Sequence, residues 1–332
     1  MKKWLQFIIG AAVISLLAAC GSDDASSEEN GSSEGSDSYQ IGATQIVEHP
    51  SLDQAYEGFQ AALEDQGLDV EYDFQSAQND QNNVKPISDN FVADGVDLIF
   101  ANSTPSALGA LQATNEIPIL FTSVTDASGA GLVESMDEPG ENITGVLDLH
   151  PDAITKMVEF IADNFPGAVV GTVYNAGEQN SVAQVDSVKE AMEGTDLSLA
   201  ERTVANSSEV NDAATTLVEE VDVFYIITDN TVVSALDSVV GVANEQDIPL
   251  MVGEPDSLEG GGFATYGIDY HTIGYRTGEM AAEILTGEKT TNDIPVEYPP
   301  EIQLFINKQA GEEQGIEWND TWDEEAELVE TE

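Results

Sequence analysis

Short apolar runs alternate with amphipathic segments along most of the chain. The run "VDLIF" (residues 96–100) is followed by a polar cluster, a segment with helical spacing of apolar residues, and a second apolar run after an Ile-Pro pair. This order is typical of strands that alternate with helices, which favours parallel sheets covered by helices on both faces. The pattern therefore predicts an α/β fold.

The alternating plan occurs twice. The stretch "VDLIFANSTPSALGALQATNEIPILFTSVTD" parallels "VDVFYIITDNTVVSALDSVVGVANEQDIPLMVGEPD", and the segments before each of them also correspond in order. Two copies predict two Rossmann-like lobes, with strand ends that face each other across a cleft. The part after Phe263 forms no third copy. It reads as segments that return to each lobe in turn, which predicts a multi-strand hinge.

Both ends of the chain differ from this alternating body. A basic start and an apolar run ending in "LLAAC" indicate a signal peptide over residues 1–20. Residues 21–38 are rich in Gly, Ser and acids, which predicts a disordered tether, and we expect the acidic tail 319–332 to fray. The predicted lobes are residues 39–148 plus 267–295 for lobe 1 and residues 149–266 plus 296–318 for lobe 2.

The end of the signal resembles that of bacterial lipoproteins. The resemblance implies that Cys20, the single cysteine, becomes the mature N-terminus and carries lipid. The folded body would then be extracytoplasmic and anchored to the outer face of the cell membrane, since two or more acyl chains anchor stably. The alternative is an ordinary secretory signal with an incidental cysteine.

The charge of the chain narrows its range of partners. There are 63 Asp plus Glu against 9 Lys plus Arg, for a formal net charge of −54. Such a surface repels nucleic acid and anionic lipid headgroups, so we expect no nucleic-acid partner. It also leaves few cationic side chains to hold a phosphate. Adaptation to high salt or alkaline surroundings is the favoured explanation, and an acidic partner surface is the alternative.

Polar clusters follow the predicted strands, where a cleft would lie. Ser103 and Thr104 precede Pro105, and their hydroxyls at a helix start suit a carboxylate, although simple helix capping explains them too. Asp229 precedes the equivalent helix of the second lobe, where an acid caps the helix or binds an ammonium group. Glu254 follows the next strand and is placed to share that role. Together these loops predict a site for a zwitterion such as an α-amino acid. We expect Asp229→Ala to weaken ligand binding at least about tenfold with little loss of stability.

Motifs for other chemistry are missing from the sequence. The three histidines have no metal-ligand spacing, and no glycine-rich phosphate loop or G-x-S-x-G elbow occurs. We therefore predict no metal, no cofactor and no catalytic residue, and a protein that is not an enzyme.

Many strings in the body resemble the tryptophan/tyrosine-type substrate-binding proteins of ABC importers. They include "IVEHPSLDQAYEGF", "FQSAQND", "YNAGEQNSVAQV", "TDNTVVSAL" and "ATYGIDYHTIGYRTGEMA", and the resemblance runs in order from about Tyr39 to Ile316. It implies a type I periplasmic-binding-protein fold that captures a small solute, often an aromatic amino acid, by closure of its lobes. It further implies delivery to a membrane permease driven by a separate ATPase subunit.

The resemblance also implies roles for individual side chains. The residues implied for the ligand carboxylate are Ser103, Thr104, Thr122 and Ser123, and those for the ammonium group are Asp229 and Glu254. Those implied for the opposite wall are Asn175, Asn180 and Ser181, and those for packing on the ligand side chain are His49, Pro50, Tyr174 and Tyr266. Gln78 and Thr228, in the cleft loops, complete the predicted site. The chain departs from the family pattern around Glu254.

Other functions fit parts of the sequence. A branched-chain amino acid or another small solute is an alternative ligand, and a sensory receptor of the same fold is an alternative role. An extracellular enzyme on a two-lobe scaffold would need a nucleophile or metal constellation, which the sequence lacks. A structural surface protein would leave the matched polar strand ends without a purpose.

Overall fold

The computed structural model describes residues 38–331, so the predicted signal peptide, Cys20 and nearly all of the predicted tether lie outside the described residues. Two sheets, one of five strands and one of seven, divide residues 38–331 into two lobes. A search of these residues for a helix of the length and apolarity needed to cross a membrane finds none.

Lobe 1 is built on the five-stranded sheet, whose strands are all parallel. Its strands are β1 (Tyr39–Gln45), β2 (Val70–Ser76), β3 (Leu98–Asn102), β4 (Ile119–Val124) and β5 (Ile143–Leu147). Its first helices are α1 (Pro50–Asp65), α2 (Gln81–Asp94) and α3 (Thr104–Ala113). The strands β3, β4 and β5 are buried along their whole length. This explains their continuous apolar character, because helices cover both faces of the sheet.

Lobe 2 is built on the seven-stranded sheet, which is parallel except where β10 meets β11. Its strands are β6 (Val169–Tyr174), β7 (Ser198–Thr203), β8 (Val223–Ile226), β9 (Leu250–Val252), β10 (Ala264–Gly267), β11 (Gln303–Asn307) and β12 (Glu327–Val329). The helices in chain order are α4 (Ala153–Asn164), α5 (Gln179–Ala191), α6 (Val210–Leu217), α7 (Asn230–Val233), α8 (Leu236–Gln246), α9 (Asp256–Glu259), α10 (Tyr270–Leu285), α11 (Lys308–Glu313) and α12 (Trp322–Glu325). Of these, α10 packs on lobe 1.

The strand orders of the two sheets reveal the repeat. Lobe 1 has the order β2-β1-β3-β4-β5, and lobe 2 contains the equivalent order β7-β6-β8-β9-β10, extended by β11 and β12. In each lobe the chain reverses its direction of progress between the first and third strands, which is where α/β sheets bind ligands beyond their carboxyl ends. The predicted fold of two α/β lobes with parallel-dominated sheets is confirmed.

Three segments cross between the lobes. Residues 148–152 lead from β5 to α4, residues 268–269 from β10 to α10, and residues 298–302 from lobe 1 back to β11. Before the third crossing, Glu297 forms a parallel bridge with Val146 beside β5. The multi-strand hinge expected from the sequence is therefore built from short links at the edges of both sheets.

Helix α10 lies against α1 at backbone contact distance. A Cβ atom at Gly274 would lie 1.9 Å from the carbonyl oxygen of Ala55, and one at Gly58 would lie 2.2 Å from that of His271. Any larger residue would force the two helices apart. The close packing fixes the start of α10, which carries Tyr270, at the edge of the cleft.

The acidic tail does not fray as expected. The side chain of Trp322 is buried against Phe160 and Phe263, with ring centroids 5.8 Å and 5.4 Å away, and β12 pairs in parallel with β11. The expectation was wrong because it weighed the charge of the tail and not its one tryptophan, Trp322. Burying an aromatic side chain offsets the cost of ordering an acidic segment.

Candidate functional site

A cavity lies where the carboxyl ends of the strands of the two lobes meet. The empty space at this point is about 450 Å³, including the part that is open to solvent. We call it the central cavity. Its lining residues are Val47, His49, Ser51, Leu52, Thr104, Ser123, Thr125, Asp148, Asn180, Thr228, Asp229, Asn230, Val233, Glu254 and Tyr270. This lining contains three acids and neither Lys nor Arg.

Lobe 1 presents hydroxyls that lack partners. Thr104, at the start of α3, and Ser123, at the end of β4, line the central cavity, and their buried side-chain oxygens make no hydrogen bond among the described residues. The hydroxyl of Thr122, directly before Ser123, is also buried without a partner. An unpaired buried polar group lowers the stability of the fold by about 1–3 kcal/mol. A ligand in the cavity that forms hydrogen bonds with these oxygens would remove that penalty.

Two serines in this part of lobe 1, Ser103 and Ser123, have unusual backbone conformations. Ser103 has a φ of 122° and Ser123 a φ of 54°, both in the region that favours glycine. Ser103 also caps α3, because its Oγ accepts a hydrogen bond from the backbone N–H of Ser106. Strain of this kind persists where the surrounding structure enforces it, and it concentrates at ligand sites.

In lobe 2, Asp229 is both a helix cap and a lining residue. Its Oδ1 accepts from the backbone N–H of Val232, 2.8 Å away, which caps α7. Its Oδ2 accepts from the backbone N–H of Asn175 and from the hydroxyl of Ser181, each 2.6 Å away. Burial, together with the charge of Glu178, raises the pKa of Asp229 to about 7.

Glu178 is a second buried acid in lobe 2 that the predicted site omitted. Its Oε1 accepts from the backbone N–H and the hydroxyl of Thr231, and its Oε2 accepts from the backbone N–H of Asn230. Glu178 and Asp229 thus satisfy the free N–H groups at the start of α7 between them. The sequence shows an acid within the polar loop "NAGEQNS" after a strand, which marks Glu178 as a candidate site residue. Its contact with the start of α7, about fifty residues later in the chain, depends on the tertiary fold and has no local pattern.

Hydrogen bonds between side chains connect the two lobes across the cleft. The hydroxyl of Ser51 lies 2.8 Å from Oε2 of Glu254 and also contacts Oδ2 of Asp256, while Nε2 of Gln54 donates to Asp256 Oδ1 over 2.6 Å. We call these four residues the interlobe bridge. His49 flanks it, with Nε2 3.9 Å from Oε1 of Glu254.

The interlobe bridge holds more acceptors than Ser51 can serve. One hydroxyl proton faces two carboxylates, so Ser51 donates to only one of them at a time. Burial, together with the charge of Glu254, raises the pKa of Asp256. Glu254 is further held within lobe 2, where it accepts from the backbone N–H of Ser257.

Asp148 and Tyr270 add a polar pair at the hinge side of the cavity. The Tyr270 hydroxyl donates to Oδ2 of Asp148 over 3.3 Å, while the buried Oδ1 of Asp148 makes no hydrogen bond among the described residues. Burial raises the pKa of Asp148 to about 6. Both residues lie at crossings between the lobes, and the predicted site contained neither.

The structure brings most of the predicted site residues together. Those that line the central cavity are His49, Thr104, Ser123, Asn180, Thr228, Asp229 and Glu254. Those that lie directly behind the lining, next to or bonded to a lining residue, are Ser103, Thr122, Asn175 and Ser181. The buried Oδ1 of Asn180 is another atom without a hydrogen-bond partner among residues 38–331.

Four predicted residues are not among those that line the cavity. Pro50, the first residue of α1, and Gln78, in the loop after β2, are exposed. The Tyr174 hydroxyl instead donates to Glu201 over 3.2 Å, and the Tyr266 ring lies 5.6 Å from Nζ of Lys156. Both tyrosines belong to strands, β6 and β10, rather than to the loops beyond them, and the alternation of side chains along a strand turns them towards the covering layer.

Residues that the sequence reasoning missed form much of the cavity's apolar wall. Val47, Leu52 and Val233 supply aliphatic surface, and Tyr270 supplies an aromatic ring. Leu52 and Val233 lie in the first turns of α1 and α7, shortly after the capping residues His49 and Asp229. The predicted caps were therefore the sequence feature that could have identified both residues. Tyr270 depends on the packing of α10, which no local pattern reveals.

Comparison with known proteins gives consistent matches. A family model described as ABC transporter substrate binding protein matches residues 40–329. The chain is 43% identical over 315 residues to the tyrosine-binding protein of Clostridioides difficile (strain R20291), covering 92% of this chain and 90% of that protein.

Two solved structures resemble the chain to different degrees. One is an ABC domain from Streptococcus pneumoniae in complex with L-Trp, with a TM-score of 0.83 at 33% identity, covering 88% of this chain and 100% of that one. The other is the ligand-free, open structure of a substrate-binding protein with adhesive properties from Clostridium difficile. Its TM-score is 0.66 at 39% identity, covering 89% of this chain and 100% of that one.

Proposed function

Because this chain belongs to the family of ABC transporter substrate-binding proteins, we propose that it captures an aromatic amino acid, tyrosine or tryptophan, and delivers it to an importer's membrane permease. The family consists of solute-binding proteins that act outside the cytoplasm, and not of enzymes. The chain has the type I periplasmic-binding-protein fold of its structural neighbours.

The observation that carries the proposal is the distribution of charge and unpaired oxygens in the central cavity. Unpartnered hydroxyls of Thr104 and Ser123 face it from lobe 1, and three acids, Asp148, Asp229 and Glu254, also line it. Hydroxyls hold a carboxylate without a cationic side chain, and acids favour an ammonium group. A zwitterion satisfies both sets of groups. An anion or a neutral sugar leaves the acids without a counter-charge.

The relatives support an aromatic side chain on that zwitterion. One relative is named for tyrosine binding and one similar structure contains L-Trp. Val47, Leu52 and Val233 in the lining of the central cavity offer apolar surface to a ring. Burying an aromatic side chain contributes about 1.5–3 kcal/mol. A branched-chain amino acid is the alternative ligand, because its aliphatic side chain would also pack against Val47, Leu52 and Val233.

Capture by closure fits the contacts across the cleft. The chain has a higher TM-score with the L-Trp complex than with the open ligand-free structure, although its identity to the open structure is higher. The interlobe bridge holds the lobes together on the closed side of such an equilibrium. Ligand contacts from both lobes would favour this closed form, which is the form that a permease would receive.

The leader fits the same role. We propose that Cys20 carries lipid and that residues 21–38 tether the body to the outer face of the cell membrane. Replacing Cys20 with Ala should release the protein from the membrane fraction without changing ligand affinity. Retention of the variant in that fraction would contradict the anchor.

The identity of the ligand is tested on protein purified without denaturation. Mass spectrometry of the small molecules released by subsequent denaturation should detect tyrosine or tryptophan. Melting shifts measured with each amino acid and with several sugars complete the test. Stabilisation by sugars alone, with no response to any amino acid, would overturn the proposal.

A further inference from the structure

Asp148 differs from the other two acids in the central cavity in what its oxygens contact. It follows β5, at the first crossing between the lobes, and one of its oxygens accepts from the Tyr270 hydroxyl. The other oxygen, Oδ1, is buried and makes no hydrogen bond among the described residues. A buried carboxylate oxygen without a donor is costly, so this atom points to a missing partner that donates.

The other two acids already have donors at both oxygens. Asp229 accepts from Val232 at Oδ1 and from Asn175 and Ser181 at Oδ2. Glu254 is held at Oε1 by the backbone N–H of Ser257 and at Oε2 by the hydroxyl of Ser51. These contacts fix the shape of lobe 2 and of the interlobe bridge. Of the three acids in the cavity lining, Asp148 is therefore the one with a carboxylate oxygen that has no hydrogen-bond donor among the described residues.

We propose that Asp148 receives the α-ammonium group of the bound amino acid, with Tyr270 as the positioning residue that orients its carboxylate. The assignment rests on the proposed function, because it names the ammonium subsite of that cavity. It differs from the assignment implied by sequence resemblance, which gave the ammonium group to Asp229 and Glu254.

The surroundings of Asp148 favour a cationic ligand group. No Lys or Arg lines the central cavity, and the one basic side chain in its lining, His49, lies beside Glu254 in the interlobe bridge. Burial raises the pKa of Asp148 to about 6, while the hydroxyls of Tyr270 and Thr125 act in the opposite direction. An ammonium group against Oδ1 would lower that pKa and so favour the ionised form.

The position of Asp148 also links ligand binding to the hinge. Asp148 belongs to the first crossing, and Tyr270 begins α10 directly after the second. An ammonium group held by Asp148 would therefore contact the hinge, while the hydroxyls of Thr104 and Ser123 hold the carboxylate on lobe 1. In this arrangement the ligand backbone spans the inner end of the cleft, and its side chain extends towards the aliphatic wall.

The test compares L-tyrosine with its deaminated analogue, 3-(4-hydroxyphenyl)propionate, by calorimetry on the full chain. We expect the wild type to prefer tyrosine strongly. Asp148→Asn should weaken tyrosine at least about thirtyfold while leaving the affinity for the deaminated analogue unchanged or higher. Tyr270→Phe should reduce the same preference by a smaller factor, about threefold to tenfold.

Matched variants separate this role from a general structural one. Asp229→Asn and Glu254→Gln should change the affinities for the two ligands by similar factors, because both acids act through the shape of the cavity. If Asp148→Asn weakens both ligands equally, or if Asp229→Asn alone removes the preference for tyrosine, the assignment is overturned. If the wild type binds the deaminated analogue as tightly as tyrosine, the assignment is also wrong, yet the proposed function stands. Failure of the wild type to bind any α-amino acid would overturn both.

Discussion

The hydroxyl of Ser51 on lobe 1 lies 2.8 Å from Oε2 of Glu254 on lobe 2, so a buried hydrogen bond joins the two halves of the cleft. Asp256 shares the same hydroxyl, and the three groups form the centre of the interlobe bridge. Because the bond spans the cleft, opening of the lobes would break it. It therefore contributes to the free energy of closure and not to the stability of either lobe.

Ser51→Ala should shift the protein towards its open form. The substitution removes the hydroxyl that lies between Glu254 and Asp256 in the bridge, and the two acids then face each other without it on closure. We expect about a tenfold loss of ligand affinity and, in solution scattering, a larger radius of gyration with ligand present at a concentration that closes the wild type. Ser88→Ala is the control, since the buried Ser88 hydroxyl bonds only within α2, to Val84. Unchanged affinity in Ser51→Ala would show that the bridge does not stabilise closure.

Asp229→Ala should cost stability as well as affinity. The sequence alone favoured an effect on binding with little loss of stability. However, the side chain accepts hydrogen bonds from Val232, Asn175 and Ser181 within lobe 2. We expect a loss of about 2–4 kcal/mol in the free energy of unfolding, because the substitution leaves buried donors unpaired.

Asp80→Ala is the matched cap removal in lobe 1. Asp80 caps α2 through the backbone N–H of Asn82 on an exposed loop. Its loss should cost about 1 kcal/mol without affecting affinity. Urea unfolding of both variants measures the contrast. Equal losses would mean that the additional bonds of Asp229 contribute nothing.

The ligand-free protein should lose stability as the pH rises through about 6, the pKa of Asp148. The pKa of an unperturbed Asp is 3.8. Because folding raises this pKa, the contribution of Asp148 is fully present below about pH 3.8 and is lost as the pH rises through about 6. Asp148→Asn removes this dependence, so the unfolding free energy of the variant minus that of the wild type should increase between pH 4 and 8, by up to about 3 kcal/mol. Saturating ligand should abolish the increase, and a difference that is flat with pH in the ligand-free protein would contradict the burial of an unpaired carboxylate.

Gly274→Ala should strongly destabilise lobe 1. A methyl group there would lie 1.9 Å from the Ala55 carbonyl oxygen, so α10 would have to move away from α1. We expect a loss of at least about 2 kcal/mol. Gly241→Ala, within α8, is the control, since no atom lies within 4 Å of its added Cβ. That change should raise stability by about 0.5–1 kcal/mol, and thermal unfolding of the two variants should shift in opposite directions.

Local patterns were enough to predict the two lobes and the loops that meet in the cleft. Period and repeat place Thr104 and Asp229 at equivalent strand ends, and parallel strands bring such ends to one edge of a sheet. They do not show that Tyr270 approaches Asp148, because that contact depends on the glycine-mediated packing of α10 on α1. Asp148 and Tyr270 come together only because two crossing segments lie side by side, so the three-dimensional structure is needed to identify them.

Two expectations differ from the structure for local physical reasons. Sequence resemblance implied that Tyr174 and Tyr266 pack on the ligand side chain, but both lie on strands, where a shift of one residue reverses the face of the sheet, and neither lines the central cavity. The tail was expected to fray because of its charge, yet Trp322 is buried and orders it. In both cases the direction or burial of an aromatic side chain decided the outcome, and composition did not reveal it.

Calorimetric titration of the full chain with L-tyrosine, L-tryptophan and L-leucine tests the central claim most directly. We expect one molecule of tyrosine or tryptophan to bind per chain with a dissociation constant in the micromolar range or tighter, about −8 kcal/mol or better. Leucine should bind at least about tenfold more weakly, because it buries less apolar surface against the same wall. Tighter binding of leucine, or no measurable heat with any of the three, would contradict an aromatic amino-acid receptor.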